Sequence, residues 1–177
     1  MKTVVSFLIA VLLSLKINAQ DESLNFKMIT INKQVKDFPD QFDLSSPLNS
    51  FVTLKYIYAN GKNRLLRSVN SIKNKSIFPD STVQDSQPAD DARNRHLNIK
   101  IKEVITYRDS VAFVLSEDED DEGKYYSIRS FSIETGKWVT GGEDGRRDID
   151  EARQFILDRA WLFFENFKLI QKNFFSH

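Results

Sequence analysis

Cysteine is absent from the 177 residues, histidine occurs twice, and glycine and proline are sparse at six and four. A chain without cysteine has no disulfide, no thiolate metal site, no cysteine nucleophile and no cysteine-linked lipid, so its core alone must hold the fold. Histidine, the usual general base near neutral pH, stands only at His96 and at the C-terminal His177, and no histidine pair has metal-ligand spacing. No glycine-rich phosphate loop and no Gly-x-Ser-x-Gly elbow can be traced. Basic and acidic residues balance at 25 each, which leaves out the basic surplus of a nucleic-acid binder. These absences remove the common reaction classes and point to no cofactor.

The chain opens on "MKTVVSFLIAVLLSLKINAQ": a cationic start at Lys2, an apolar run from Val4 to Leu15, then a short polar stretch with the small residue Ala19. That is the pattern of a cleaved secretory signal over 1–19, with an apolar run too short to span a bilayer. The expectation is an exported protein, periplasmic or extracellular, not inserted in the membrane after cleavage. The remainder has the ordinary size of one domain.

Residues 20–44 read as an extended N-terminal segment, in which the partial period-two patterning of "LNFKMITI" (Leu24 to Ile31) suits an edge strand and Pro39 interrupts regular structure. "SSPLNSFVTLKYIYANG" predicts a helix: Ser46 caps, Pro47 suits the first turn, and Leu48, Phe51, Val52 and Tyr58 are its apolar positions. Asn60-Gly61 stops it. "NRLLRSVN" predicts a shorter helix with Leu65, Leu66 and Val69 inward, and the aperiodic polar stretch near 79–94 predicts a mobile loop. From Asn98 the period changes to two, and "NIKIKEVITYRDSVAFVLSE", "KYYSIRSFSIE" and "KWVTGG" give an antiparallel meander with a Thr135-Gly136 turn.

The last element, over 148–172, is the clearest. Asp148 and Glu151 form a capping-box pattern, and Ile149, Ala152, Ile156, Ala160, Phe163, Phe167 and Ile170 recur at alternating spacings of three and four on one face. The fold class is therefore α+β: N-terminal helices packed on a curved antiparallel meander, plus a long C-terminal helix, in one domain over 45–177.

Helices followed by aromatic hairpins, carried by "SSPLNSFVTLKYIYANGKNRLL" and "YRDSVAFVL…YYSIRSFSIETGKW", resemble the NTF2-like superfamily of cone-shaped, cystatin-like α+β proteins over roughly residues 45–140. The resemblance implies a cone whose interior forms a pocket. That superfamily holds enzymes, binding domains and dimerisation modules, so the fold does not fix the function. Its enzymes use an Asp-His pair inside the cone, and none is visible here. The long helix after the meander departs from the usual ending.

Three constellations carry the functional reading. The run "EDEDDE" (117–122) misses the EF-hand pattern, because Arg129 occupies the twelfth position counted from Asp118. It reads as a solvated hairpin tip, with weak divalent-cation binding as the alternative. Strict alternation places Glu103 among Ile99, Ile101, Ile105 and Tyr107, and Arg129 with Tyr125, Phe131 and Ile133, unless a bulge shifts the phase. Glu103, Arg129, Tyr125, Phe131 and Trp138 are thus the pocket residues to look for, with Glu103 and Arg129 either paired or pointing into the pocket. An enzyme version adds Asp109 or His96 to Glu103 and Arg129. The last helix has more apolar surface than one seam requires, with Leu157, Trp161 and Phe164 along one flank as an interface with a partner protein or a second copy. A binding or interaction module, for a small molecule or a protein, is favoured over an enzyme.

Overall fold

The structure, a computed structural model, describes residues 25–75 and 84–175; the signal-like segment and residues 76–83 lie outside the described residues. Five strands, β1 (Phe26–Gln34), β2 (Lys100–Tyr107), β3 (Val111–Asp120), β4 (Gly123–Glu134) and β5 (Lys137–Arg146), form one antiparallel sheet in the order β1-β2-β3-β4-β5. The helices α1 (Pro47–Ala59), α2 (Leu66–Val69) and α3 (Asp90–Asn98) precede β2, and α4 (Ile149–Phe175) ends the chain. Among the described residues no helix is long and apolar enough to cross a membrane.

The sheet is covered on both faces. Ala112 and Val114 pack with Phe51 and Val52 of α1, whereas their neighbours Val111, Phe113 and Leu115 pack with Ala152, Ile156 and Ala160 of α4. Successive residues of a strand point to opposite faces, so a strand buried on both sides reads as an unbroken apolar run, and "VAFVL" is that run.

Helix α1 forms where its caps dictate. Ser46 Oγ accepts from Asn49 N at 3.1 Å, Pro47 fills the first turn, and Asn60 closes the helix. Gly61 follows at φ +62°, and a Cβ there would lie 1.7 Å from the Ser86 carbonyl oxygen, so only glycine permits the 84–88 segment to seal the helix end. Leu66 and Val69 are buried as expected, while Leu65 is exposed. Asp148 caps α4 by accepting from Asp150 N and Glu151 N at 2.8 and 3.0 Å, and Ala152, Ile156, Ala160 and Phe167 form its buried seam.

Two expectations change. The loop expected to reach residue 94 gives way at Asp90 to α3, which has no apolar period of its own and is held by tertiary contacts. His96 stacks on Tyr58 with ring centroids 5.3 Å apart, and Lys36 Nζ and Gln34 Nε2 donate to Asn98. The edge strand read from "LNFKMITI" forms as β1, paired along β2. The acids Glu117 to Asp120 continue β3 rather than break it, and β5 runs through "GGEDG" to Arg146.

Glu134, at the end of β4, anchors the chain after α2: its Oε2 accepts from Ile72 N at 3.0 Å, and its Oε1 is buried with no hydrogen-bond partner. Burial raises the pKa of this carboxyl above its ordinary value. A carboxyl with a raised folded-state pKa stabilises the protein below its unfolded pKa, and that contribution is lost as pH rises through the folded value. Glu134→Gln keeps the acceptor for Ile72 and carries no charge. It is expected to gain about 1–2 kcal/mol near pH 7, read by urea denaturation, with the gain shrinking toward zero below pH 4. An equal gain at both pH values would show that ionisation of Glu134 is not its cause.

Candidate functional site

The two anomalous charges of the sequence lie on opposite faces of the sheet. One extra residue in β2 between Ile101 and Glu103 reverses the phase: Ile101 pairs with Ser116, but Glu103 pairs with Leu115. A bulge of this kind flips every later side chain. Ile99 and Ile101 therefore face α1, while Glu103, Ile105 and Tyr107 face α4. There Glu103 is buried against Arg153, whose Nε donates to Oε2 at 3.1 Å and whose Nη2 donates to Oε1; Arg153 also binds Asp150 at 2.7 Å. Arg129 pairs with Val114 in register, faces α1, and binds Glu143 of β5. The expected Glu103–Arg129 pairing does not exist. Asp109 sits in the β2–β3 hairpin, exposed and bound to Lys27 at 2.8 Å, away from either charge.

Four of the five expected pocket residues do share the α1 face, in two different roles. Phe131 and Trp138 are buried in the apolar core with Phe51 and Val52, and so fill space rather than line it. Tyr125 and Arg129 belong to the polar half of the same face, toward the β3–β4 turn. The register alternates Ser116 and Asp118 on β3 with Tyr125, Ser127 and Arg129 on β4 and Glu143 on β5. Helix α1 contributes Lys55 and Tyr58 above them, and α3 contributes Arg95 and His96.

Within this cluster each carboxylate is already engaged. Glu143 accepts from Arg129 and from Ser127 Oγ. Asp118 accepts from Tyr125 Oη at 2.9 Å and from Arg95 Nη2 at 3.4 Å. Lys55 is different: it is 6% exposed, lies with Nζ 5.0 Å from the Phe51 ring centroid, and has no hydrogen-bond partner among the described residues. Burial lowers its pKa, and the charge of Glu143 opposes that effect. His96 is also held below its ordinary pKa, by burial first and by Lys55 second. His96 Nδ1, Ser116 Oγ, Arg129 Nε and Thr140 Oγ1, all on this face or above it, are buried without a hydrogen-bond partner. Buried polar groups are nearly always paired, so this concentration of unpaired groups sets the polar half of the face apart from the rest of the core.

The acidic hairpin spreads its charges over several cations. Asp120 and Glu122 bind Arg147 at 2.9 and 2.6 Å, Glu117 binds Lys124 at 3.2 Å, and Asp118 turns inward to Tyr125. Among the described residues no three carboxylate or histidine side chains are grouped to hold a metal ion.

On α4, Leu157 and Trp161 are exposed at 47% and 51%, as are Leu162 and Leu169, all on its outward side. Phe164, expected with them, instead turns under the helix, its ring centroid 5.8 Å from that of Tyr107.

Lys55, Tyr58, Arg95, Ser116, Ser127 and Glu143 were not read from the sequence as site residues. Lys55 left a usable signal, since it stands four residues after Phe51 and three after Val52, on the face that a core helix keeps apolar. The chain matches no family model, no curated protein and no solved structure.

Proposed function

We propose that this protein is an exported, non-catalytic binding module that holds a small molecule against the polar half of its α1 face. The observation that carries the reading is the group of buried polar atoms without a hydrogen-bond partner on that face, His96 Nδ1, Ser116 Oγ and Arg129 Nε, gathered around the mostly buried Lys55. A buried polar group left unpaired costs about 1–3 kcal/mol, and a ligand that pairs with these atoms removes that cost. The placement of α1 across the meander also supports the NTF2-like resemblance, in which the interior of the cone is the binding site. An enzyme built on Glu103 and Arg129 has no support, because the sheet separates them.

Native mass spectrometry of the mature protein after incubation with a metabolite extract tests this. The expected result is a monomer carrying one discrete small-molecule mass that Lys55→Met loses. A bare mass for both proteins in every fraction would sink it. A second reading, in which α4 is the contact surface of a homodimer, rests on the exposed Leu157 and Trp161. The same spectra read it directly as a doubled mass.

A further inference from the structure

Between α4 and the β5 edge of the sheet lies a cavity of about 300 Å³, on the face opposite the polar cluster. We propose that it is a second binding site, for a small uncharged aromatic molecule carrying a hydroxyl or amide group; it does not depend on the α1-face reading. Its origin lies in the outer strands, whose side chains on this face shrink toward the edge. Phe113 of β3 pairs with Ser130 of β4, and a bulge in β5 sets Gly141 and Gly142 together against Ser130. A Cβ at Gly142 would meet no atom within 4 Å. Phe163 and Phe167 of α4 and Val111 of β3 supply the apolar lining, and the Phe163 ring is held edge-on by Phe113 with centroids 5.1 Å apart.

The outer wall is the chain after α2, and it is fixed to the sheet. Ser71 N donates to Thr140 O at 2.9 Å, Ile72 N to the Glu134 carboxyl at 3.0 Å, and Asn74 Nδ2 to Gly141 O at 3.3 Å. A wall already in place does not have to be ordered when a ligand arrives. Ser71 lines the cavity and is 5% exposed, yet its hydroxyl has no hydrogen-bond partner among the described residues. Buried hydroxyls are nearly always paired, so this one offers a donor and an acceptor to an occupant. Ser132 and Asn166 add a hydroxyl and an amide to the lining. No carboxylate lines the cavity among the described residues, and its one charged residue, Lys73, is exposed to water. Neutral polar groups between aromatic walls suit an uncharged ring with a polar substituent, since an ion would give up its hydration without a buried counter-charge. The size agrees: a cavity of roughly 150 Å³ holds benzene, which leaves room here for the substituent.

The test is an NMR titration of the full mature chain that follows the backbone amides of Ser132 and Gly142. The probes are benzyl alcohol and benzamide, their charged counterparts benzylamine and benzoate, and the non-aromatic cyclohexylmethanol. The two uncharged aromatic probes are expected to shift these amides and to bind about 10-fold tighter than the charged ones. Gly142→Leu, which puts a side chain where a Cβ meets nothing, and Asn166→Trp, at an exposed position of α4, are each expected to weaken binding about 10-fold. The two changes lie on different elements, so misfolding of one leaves the other to decide. Benzoate binding tightest would make the occupant an anion held by Lys73, and cyclohexylmethanol matching benzyl alcohol would remove the aromatic preference; either overturns the assigned class. Amides unmoved by every probe at saturation, or shifts that a folded variant leaves unchanged, overturn the site itself.

Discussion

Replacing Arg153 with alanine is expected to lower the unfolding free energy by about 3 kcal/mol, the low end for breaking a buried ion pair because Arg153 is itself partly open to water. Glu103 is the reason. Its side chain is 5% exposed, both of its oxygens are bound by the Arg153 guanidinium, and its neighbours on that face are Ile105, Leu115 and the α4 seam. Removal of the arginine leaves a carboxylate in an apolar layer that admits little water. The double variant Glu103→Leu with Arg153→Met, which replaces the whole pair with apolar groups, is expected to recover most of the loss. Urea denaturation of the single and double variants measures both effects. A loss below about 0.5 kcal/mol for Arg153→Ala would class the pair with ordinary surface salt bridges.

Lys55→Met is expected to act in the opposite direction on stability. The thioether fills the path of the lysine stem beside Phe51 without burying a charge, and a gain of about 1–4 kcal/mol near pH 7 follows from the usual result of replacing buried charge with a hydrophobe. The pH dependence separates this cause from better packing. A lysine whose folded pKa lies below its ordinary value of 10.5 binds fewer protons in the folded state over the interval between the two. The wild-type protein therefore gains stability as pH rises through that interval. The advantage of Lys55→Met is expected to be full below the folded pKa and to shrink as pH approaches 10.5, in thermal unfolding scans across that range. An advantage that does not change with pH would assign it to packing. A chain that keeps a destabilising lysine at the centre of its polar face, while losing its ligand without it, would follow the common exchange of stability for function.

The parts of this fold that announce themselves in the sequence are those whose local chemistry and tertiary role agree. Ser46, Pro47, Asn60 and Gly61 mark α1 because caps act through neighbouring backbone, and the spacing from Ile149 to Phe167 marks α4 because one helical face meets one sheet. Thr135-Gly136 marks its hairpin because both residues take positive φ, at 49° and 75°. The bulge after Ile101 has no such marker. An extra residue leaves the local alternation intact on either side while reversing the face, so Glu103 reads as a partner for Arg129 when it is on the far side. Helix α3 was hidden for a related reason: its contacts come from Tyr58, Gln34 and Lys36, far away in the chain. The candidate site combines both difficulties. Its residues come from α1, α3 and three strands; the alternation of β4 shows Tyr125 and Arg129, and Lys55 breaks the apolar face of α1, but no single stretch shows that they meet.

The order of the sheet also bears on how the chain assembles. Strands β2 to β5 are joined by short turns, so each hairpin closes between residues that are near neighbours in sequence. Strand β1 pairs with β2 only after the whole excursion from Val35 to Ile99, including α1, α2 and α3, has been brought back. Closing that long loop carries an entropic cost that the hairpins do not, and non-local pairings of this kind slow folding. The four-strand meander with α4 can thus form as a nucleus whose β2 edge is still open, and the helices that complete the polar face arrive together with the strand that closes it. The polar face is in this sense the last part of the structure to be completed as the chain folds.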